Sequence, residues 1–351
     1  MKMTIAASLT RIPLAGALTA AITAAGILGT VALPAVVATP AVSAEIKLAH
    51  FMSPRHPMDR FLMRPWTEEV AKATNNALTV RIYPGGALGK GPVAQFKRAV
   101  DGVADVTFGL PGFTSKIFPR TGVIELPGVA KDAVVAANQL WDAFPLLAPE
   151  WRRVEVLALW TNETQTILTK NKAVRSIADL KDMKIRVPSR TQGTTLAALG
   201  AVPVFMPINR VYNALNTGVI DGVMTGPSTI GSFKFDEVAK YFTTGMPLGR
   251  SPFFLVMNRD TWKKLSDAHK DIIRKTTGRA MSIKGSAFYI KAGKAGLKKV
   301  RESDKHEVID MAGAALAEAT AALMKSRADQ VAALEKQGVP AKKILAAMGV
   351  K

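Results

Sequence analysis

Cysteine is absent from the 351 residues. That excludes disulfide frameworks, thiolate chemistry and a lipid-modified cysteine. Histidine is scarce, and His50, His56, His269 and His306 are all there are. None stands three or four residues from another, so no local zinc pair is expected. Acidic residues are also few, 27 against 47 Lys and Arg, for a formal net charge of +20. Such a balance favours acidic partners or anionic ligands. The lysines, however, form no dense run and do not interleave with aromatics as a phosphate-tracking surface does, so no nucleic-acid partner is expected. Residues 84–92 are glycine-rich. They contain neither Gly-Lys-Ser/Thr nor the Gly-x-Gly-x-x-Gly spacing, and read as a turn. No Gly-x-Ser-x-Gly elbow is present. Asp101 and Asp105 lie four apart, but Gly102 interrupts any shared helix face. With no nucleophile, base and orienter to assemble, no metal set and no cofactor motif, the chain reads as a binder and not an enzyme.

Long apolar runs are missing too, except at the start. Lys2 and Arg11 precede an Ala/Leu/Val/Ile-rich stretch over residues 12–37, and Ala41-Val42-Ser43-Ala44 has the small-residue pattern of a cleavage site. The run is long enough for a membrane anchor. Its alanine content, Pro34, Pro40 and the cleavage pattern favour an export signal over residues 1–44, cut near Ala44. The remainder is then expected free in the periplasm, not embedded in the membrane.

What is present is alternation. Residues 45–50 read as a strand, with Ile46 and Leu48 set against charge, and Pro54 and Pro57 break it. A helix carrying Trp66, Val70 and Ala71 follows, then a strand over 77–83, a turn over 84–89, a helix over 93–100 and a strand at 106–108. Strands alternating with helices indicate an α/β layer architecture. One unit recurs. Gly102-Val103-Ala104-Asp105 and Gly218-Val219-Ile220-Asp221 each follow an apolar helix and precede an apolar strand. Each glycine stands where a helix C-terminus needs a left-handed residue. Each aspartate stands where it can bind backbone donors locally. Two copies suggest two lobes of similar build. Residues 258–278 read as helical, opened by Asp260 as a cap, and from 281 onward helical patterning dominates. The alanine-rich stretch 312–334 keeps no clean heptad, so it reads as a packed tail and not a coiled coil.

Residues 176–222 carry the most information. Lys184–Val187 reads as a short buried strand containing one arginine, and Pro188 ends it by removing a donor. Arg186 at the end of that strand would project into the space beyond. Its planar fork of donors suits a carboxylate held at two points. Arg175, Arg190 and Arg210 lie nearby and read as exposed.

The order of these elements resembles the substrate-binding subunit of tripartite ATP-independent periplasmic (TRAP) transporters, the DctP-like family. The likeness runs through His56-Pro57, the Tyr83-Pro84-Gly85-Gly86-Ala87-Leu88-Gly89 turn, the first Gly-Val-x-Asp unit, Glu125-Leu126-Pro127 and the stretch around Arg186. The resemblance implies a type II-like two-lobed periplasmic binding fold that closes over its ligand by hinge motion, with a helix-rich C-terminal tail. The lobes are expected at 45–163 plus 252–291, and at 164–251 plus 292–351, with the chain crossing near 162–169 and 250–254. It also implies an organic-acid ligand, passed to TRAP membrane permease subunits driven by an ion gradient. The position matching the family's carboxylate-binding arginine is Arg186. A second arginine found in sialic-acid and dicarboxylate binders is Thr166 here, and a ligand-touching Asn is Thr225. One cationic anchor suits a monocarboxylate. Trp160, Phe108, Phe113 and Met224 are expected to supply an apolar wall for an aromatic or branched acid, with Trp160 and Phe108 flanking its body, and His56 joins the candidate site. Competing readings are an ABC-type receptor, a sensory receptor for a signalling kinase, and a periplasmic hydrolase.

Overall fold

The computed structural model describes residues 44–89 and 91–350. The segment read as an export signal lies outside the described residues, except for Ala44. With strands numbered in chain order, the first sheet holds β1 (Ala44–Ala49), β2 (Leu78–Tyr83), β3 (Val106–Gly109), β4 (Val154–Thr161) and β10 (Pro252–Asn258), in the order β2-β1-β3-β10-β4. The second holds β5 (Thr166–Thr169), β6 (Lys184–Val187), β7 (Val202–Phe205), β8 (Gly222–Thr225), β9 (Tyr241–Thr244) and β11 (Glu307–Asp310), in the order β11-β9-β5-β8-β6-β7. In each sheet β-α-β units run parallel, β1 with β2 and β3, and β6 with β7 and β8. One strand arriving from the other sheet is inserted antiparallel: β10 between β3 and β4, β5 between β8 and β9. The fold is thus two α/β lobes, each with its own mixed sheet.

Each sheet is buried on both faces, and period-two alternation distributes its side chains. Along β10, Phe253, Leu255 and Met257 join one core with Trp66, Phe108 and Trp160. Phe254 and Val256 join the other with Phe96, Phe118 and Trp151. In the second lobe Ile167 and Met224 face one cluster while Leu168 and Val223 face the other.

The chain passes between sheets at residues 162–165 and 245–251. A third link is the helix Gly278–Arg301. Its Ser282 Oγ accepts from the Leu159 N–H of β4 at 3.0 Å, and its Val300 packs in the second lobe with Phe242. The helix Gly313–Lys336 then packs in part on the second lobe through Ala319 and Leu323. The final helix, Ala341–Ala347, returns to the first: Ile344 and Leu345 share a core with Phe118, Leu140 and Trp151.

The repeated Gly-Val-x-Asp unit does the same work twice. Gly102 and Gly218 have φ of 71° and 74°, the left-handed conformation that ends a helix. Asp105 accepts from the Lys47 N–H of β1 at 2.8 Å, and Asp221 accepts from the Lys184 N–H of β6 at 2.8 Å. Each aspartate therefore ties the start of its own strand to the neighbouring parallel strand. The expected cap at Asp260 is corrected. Asn258 Oδ1 accepts from the N–H groups of Asp260 and Thr261 at 3.0 and 2.9 Å. Its Nδ2 donates to Ala99 O at 2.7 Å, a bond a carboxylate could not make.

Candidate ligand-binding site

Parallel strands of both sheets end at the space between the lobes, where open α/β sheets bind ligands. Arg186 is the third residue of β6, its backbone held between Val204 and Val223. Only 2% of it is exposed. Its Nε donates to Met206 O at 2.8 Å, and its terminal nitrogens have no protein partner among the described residues. No carboxylate among those residues lies within ion-pair distance of it. Burial without a counter-charge pushes its pKa down to about 9. An anion entering beside it would recover that loss.

Arg186 lines a cavity between the lobes. Pro188, Ile208, Thr225, Ser228 and Phe233 belong to its second-lobe wall, and Phe51, Met52, His56, Leu110, Phe113 and Phe253 to the first. Tyr289 enters from the long helix, and Asn162 and Ser251 from the two crossing segments. Of the residues expected from sequence, Arg186, His56, Phe113 and Thr225 meet here. Phe108, Trp160 and Met224 do not line the cavity. Each lies within a strand and is fully buried in a core. Phe108 stacks behind Phe51 and Phe253, with ring centroids at 5.7 and 5.4 Å. Trp160 turns its indole to the long helix at Gly285, where a Cβ would come within 3.0 Å of Nε1. Thr166 pairs with Thr225 across the strands but lines a separate hollow with Glu163 and Arg250.

The site holds residues that sequence reasoning missed. Phe253 stacks between Phe108 and Tyr289, the latter at 4.9 Å. Phe51, Phe233 and Asn162 complete the wall. Tyr289 had a readable trace: Ser282, Gly285, Ser286, Gly293 and Gly296 form the buried stripe of the long helix, and Tyr289 is the large side chain in that stripe.

Polar side chains join the lobes beside the cavity. Ser189 caps the helix Arg190–Ala197 and donates its hydroxyl to Glu125, which stands at the edge of the first lobe's core. Gln165 Nε2 donates to Gln192 Oε1 at 2.9 Å and Ser251 Oγ at 2.8 Å. Asn162 Oδ1 accepts from the Ser251 N–H at 2.7 Å. Burial pushes Glu125 up to about 8, against the hydrogen bonds from Ser189 and Gln192. Burial likewise raises Glu163 to about 7, although the Ser228 N–H donates to it. Among the described residues no three metal-binding side chains gather, and no helix is long and apolar enough to cross a membrane.

The fold and the sequence both have known counterparts. A marine metagenome TRAP solute-binding protein specific for aromatic acid ligands, solved with metahydroxyphenylacetate, superposes with a TM-score of 0.81 at 29% identity, covering 87% of this chain and 97% of that one. A TRAP periplasmic solute-binding protein from Bordetella bronchiseptica, solved with (R)- and (S)-mandelate, gives 0.80 at 26% identity, covering 87% and 97%. The sialic acid-binding periplasmic protein SiaP of Vibrio cholerae is 31% identical over 216 residues, 59% of this chain and 65% of that protein's length. The C4-dicarboxylate-binding periplasmic protein DctP of Rhodobacter capsulatus is 29% identical over 245 residues, 68% of this chain and 73% of that protein. The model of the bacterial extracellular solute-binding proteins, family 7 (DctP), matches residues 48–333, and the chain belongs to that family.

Proposed function

We propose that this protein is the periplasmic receptor of a TRAP transporter, capturing an aromatic monocarboxylate and delivering it to an ion-gradient-driven permease without chemical change. The observation that carries this reading is Arg186, a buried guanidinium with no carboxylate partner, in a cavity walled by Phe51, Phe113, Phe233 and Phe253. Its terminal nitrogens would hold the carboxylate at two points. The phenyl rings would cover an aromatic body by stacking and edge contacts. Thr166 and Thr225, where the family resemblance implies an arginine and an asparagine, leave one cationic anchor. Solved relatives holding metahydroxyphenylacetate and mandelate support the choice of an aromatic acid. Hinge motion about residues 162–165 and 245–251 would admit and release the ligand, and removal of residues 1–44 would free the receptor.

Isothermal calorimetry against benzoate, phenylacetate, succinate and sialic acid tests the reading. The aromatic acids are expected to bind and the dicarboxylate is not. Arg186→Ala should cost about 2–5 kcal/mol of binding, as truncation of one partner of a buried charge pair does. Arg186→Lys should also bind poorly, because a point charge does not reproduce the fork. Wild-type affinity in a folded Arg186→Ala variant would place the anchor elsewhere.

A further inference from the structure

The cavity contains a second polar pole that carries no charge. Tyr289 is 4% exposed and lines the cavity, with its ring stacked on Phe253. Its hydroxyl, reachable from the cavity, makes no hydrogen bond to any described residue. The hydroxyl of a buried tyrosine ordinarily finds a partner, so one that meets only a cavity points to a ligand group. His56 lies beside it, ring centroids 6.4 Å apart, and lines the same cavity. Its Nδ1 accepts the Met58 N–H at 3.2 Å, which leaves the proton of the neutral ring on Nε2. Nε2 likewise has no partner among the described residues. Burial first, and nearby His50 second, hold the His56 pKa down at about 3, outweighing the opposite pull of Asp59. The ring is therefore an uncharged donor at any pH the periplasm reaches.

Two neutral groups on an aromatic floor do not suit a second carboxylate, which would be buried without a counter-charge. They do suit a hydroxyl, which can accept from His56 Nε2–H and exchange a hydrogen bond with the Tyr289 hydroxyl. We infer that Tyr289 and His56 form a hydroxyl-recognition pole, so that the preferred ligand is a hydroxylated aromatic monocarboxylate. The inference rests on the organic-acid reading of Arg186. It adds that specificity is set on the long helix and the loop after β1, away from the arginine strand.

The test is a calorimetric cycle that pairs ligand hydroxyl with protein side chain. Phenylacetate is compared with its 2-, 3- and 4-hydroxy isomers and with mandelate, on wild type, Tyr289→Phe and His56→Asn. The asparagine keeps an acceptor for the Met58 N–H at the place of Nδ1 and deletes Nε2. At least one hydroxylated acid should bind wild type about tenfold or more tighter than phenylacetate, since a site built to bond a hydroxyl discriminates against its absence. In each variant that ratio should collapse towards one. Circular dichroism melts confirm that the variants are folded. Equal binding of phenylacetate and every hydroxylated acid by wild type overturns the hydroxyl pole and leaves the Arg186 reading standing. So does a preference that survives Tyr289→Phe and His56→Asn. Failure of wild type to bind any aromatic acid, with binding of a dicarboxylate or a sugar acid instead, overturns both.

Discussion

Arg186 is a buried cation to which no described residue supplies a counter-charge. A charge taken out of water and left unpaired works against folding. Its depressed pKa, about 9, records that cost. The residue is thus suited to binding at the expense of the empty protein, a trade common at functional sites. Arg186→Met should accordingly raise the stability of the ligand-free protein, by about 1–2 kcal/mol on the usual scale of such relief. It should also abolish ligand-induced thermal stabilisation, which for wild type reaches about 2.7 kcal/mol at a hundred times the dissociation constant. Thermal melts with and without phenylacetate read both effects. A variant less stable than wild type when empty would mean that the bond from Nε to Met206 O matters more than the unpaired charge. The residue scale also shows why Arg186 was readable. A lone arginine between the two apolar residues of a short strand that proline ends has few other uses. Phe108, Trp160 and Met224 misled because an apolar side chain in a strand looks the same whether its face meets a core or a ligand.

At the scale of elements, position relative to the strand end separates these three from the neighbours that do line the cavity. Phe108 lies inside β3 and is core; Leu110 and Phe113 lie just beyond it and line the cavity. Trp160 lies inside β4, whereas Asn162 follows its last residue. Met224 lies inside β8, and Thr225 is its final residue. The short parallel strands, the helices between them and the Gly-Val-x-Asp repeat were legible because their patterns are local. Phe253 and Tyr289 were not, because β10 and the long helix reach the site only through pairing and packing with residues far away in sequence. The repeat carries its own prediction. Asp105 holds both Lys47 N–H and the Thr261 hydroxyl, the latter at 2.7 Å, whereas Asp221 is exposed and its carboxylate holds Lys184 N–H. Asp105→Ala should therefore destabilise by about 1–3 kcal/mol and Asp221→Ala by about 1 kcal/mol or less, on the scale of lost net hydrogen bonds. Urea titration of the two variants gives the order, and a larger loss for Asp221→Ala would refute the assigned asymmetry.

For the whole molecule, the contact between lobes includes carboxylates whose pKa burial raises. Glu125 receives the Ser189 hydroxyl from the other lobe, and its pKa is pushed from 4.5 up to about 8. Glu163 is pushed from 4.5 up to about 7. A raised folded-state pKa means that the folded protein holds the proton where the unfolded chain has released it. The associated stability is therefore complete below the unfolded value and is lost as pH rises through the folded one. His56 acts in the opposite sense, since its pKa is lowered from 6.5 to about 3, and its contribution grows as pH rises towards 6.5. Between about pH 4.5 and 6.5 His56 offsets one of the two carboxylates. Between pH 7 and 8 Glu163 is completing its release and Glu125 dominates. Wild-type stability should fall across that interval by about 1 kcal/mol, near the limit of one proton per pH unit. Glu125→Gln keeps an acceptor for Ser189 and carries no proton to lose, so its melting temperature should be flat from pH 7 to 8 and exceed that of wild type at pH 8. Because Glu125 is buried against Ser189 of the other lobe and its ionised form favours opening to water, ligand affinity of wild type should weaken over the same interval while that of Glu125→Gln does not. A wild-type slope preserved in Glu125→Gln would assign the titration to another group and leave the bond between the lobes indifferent to pH.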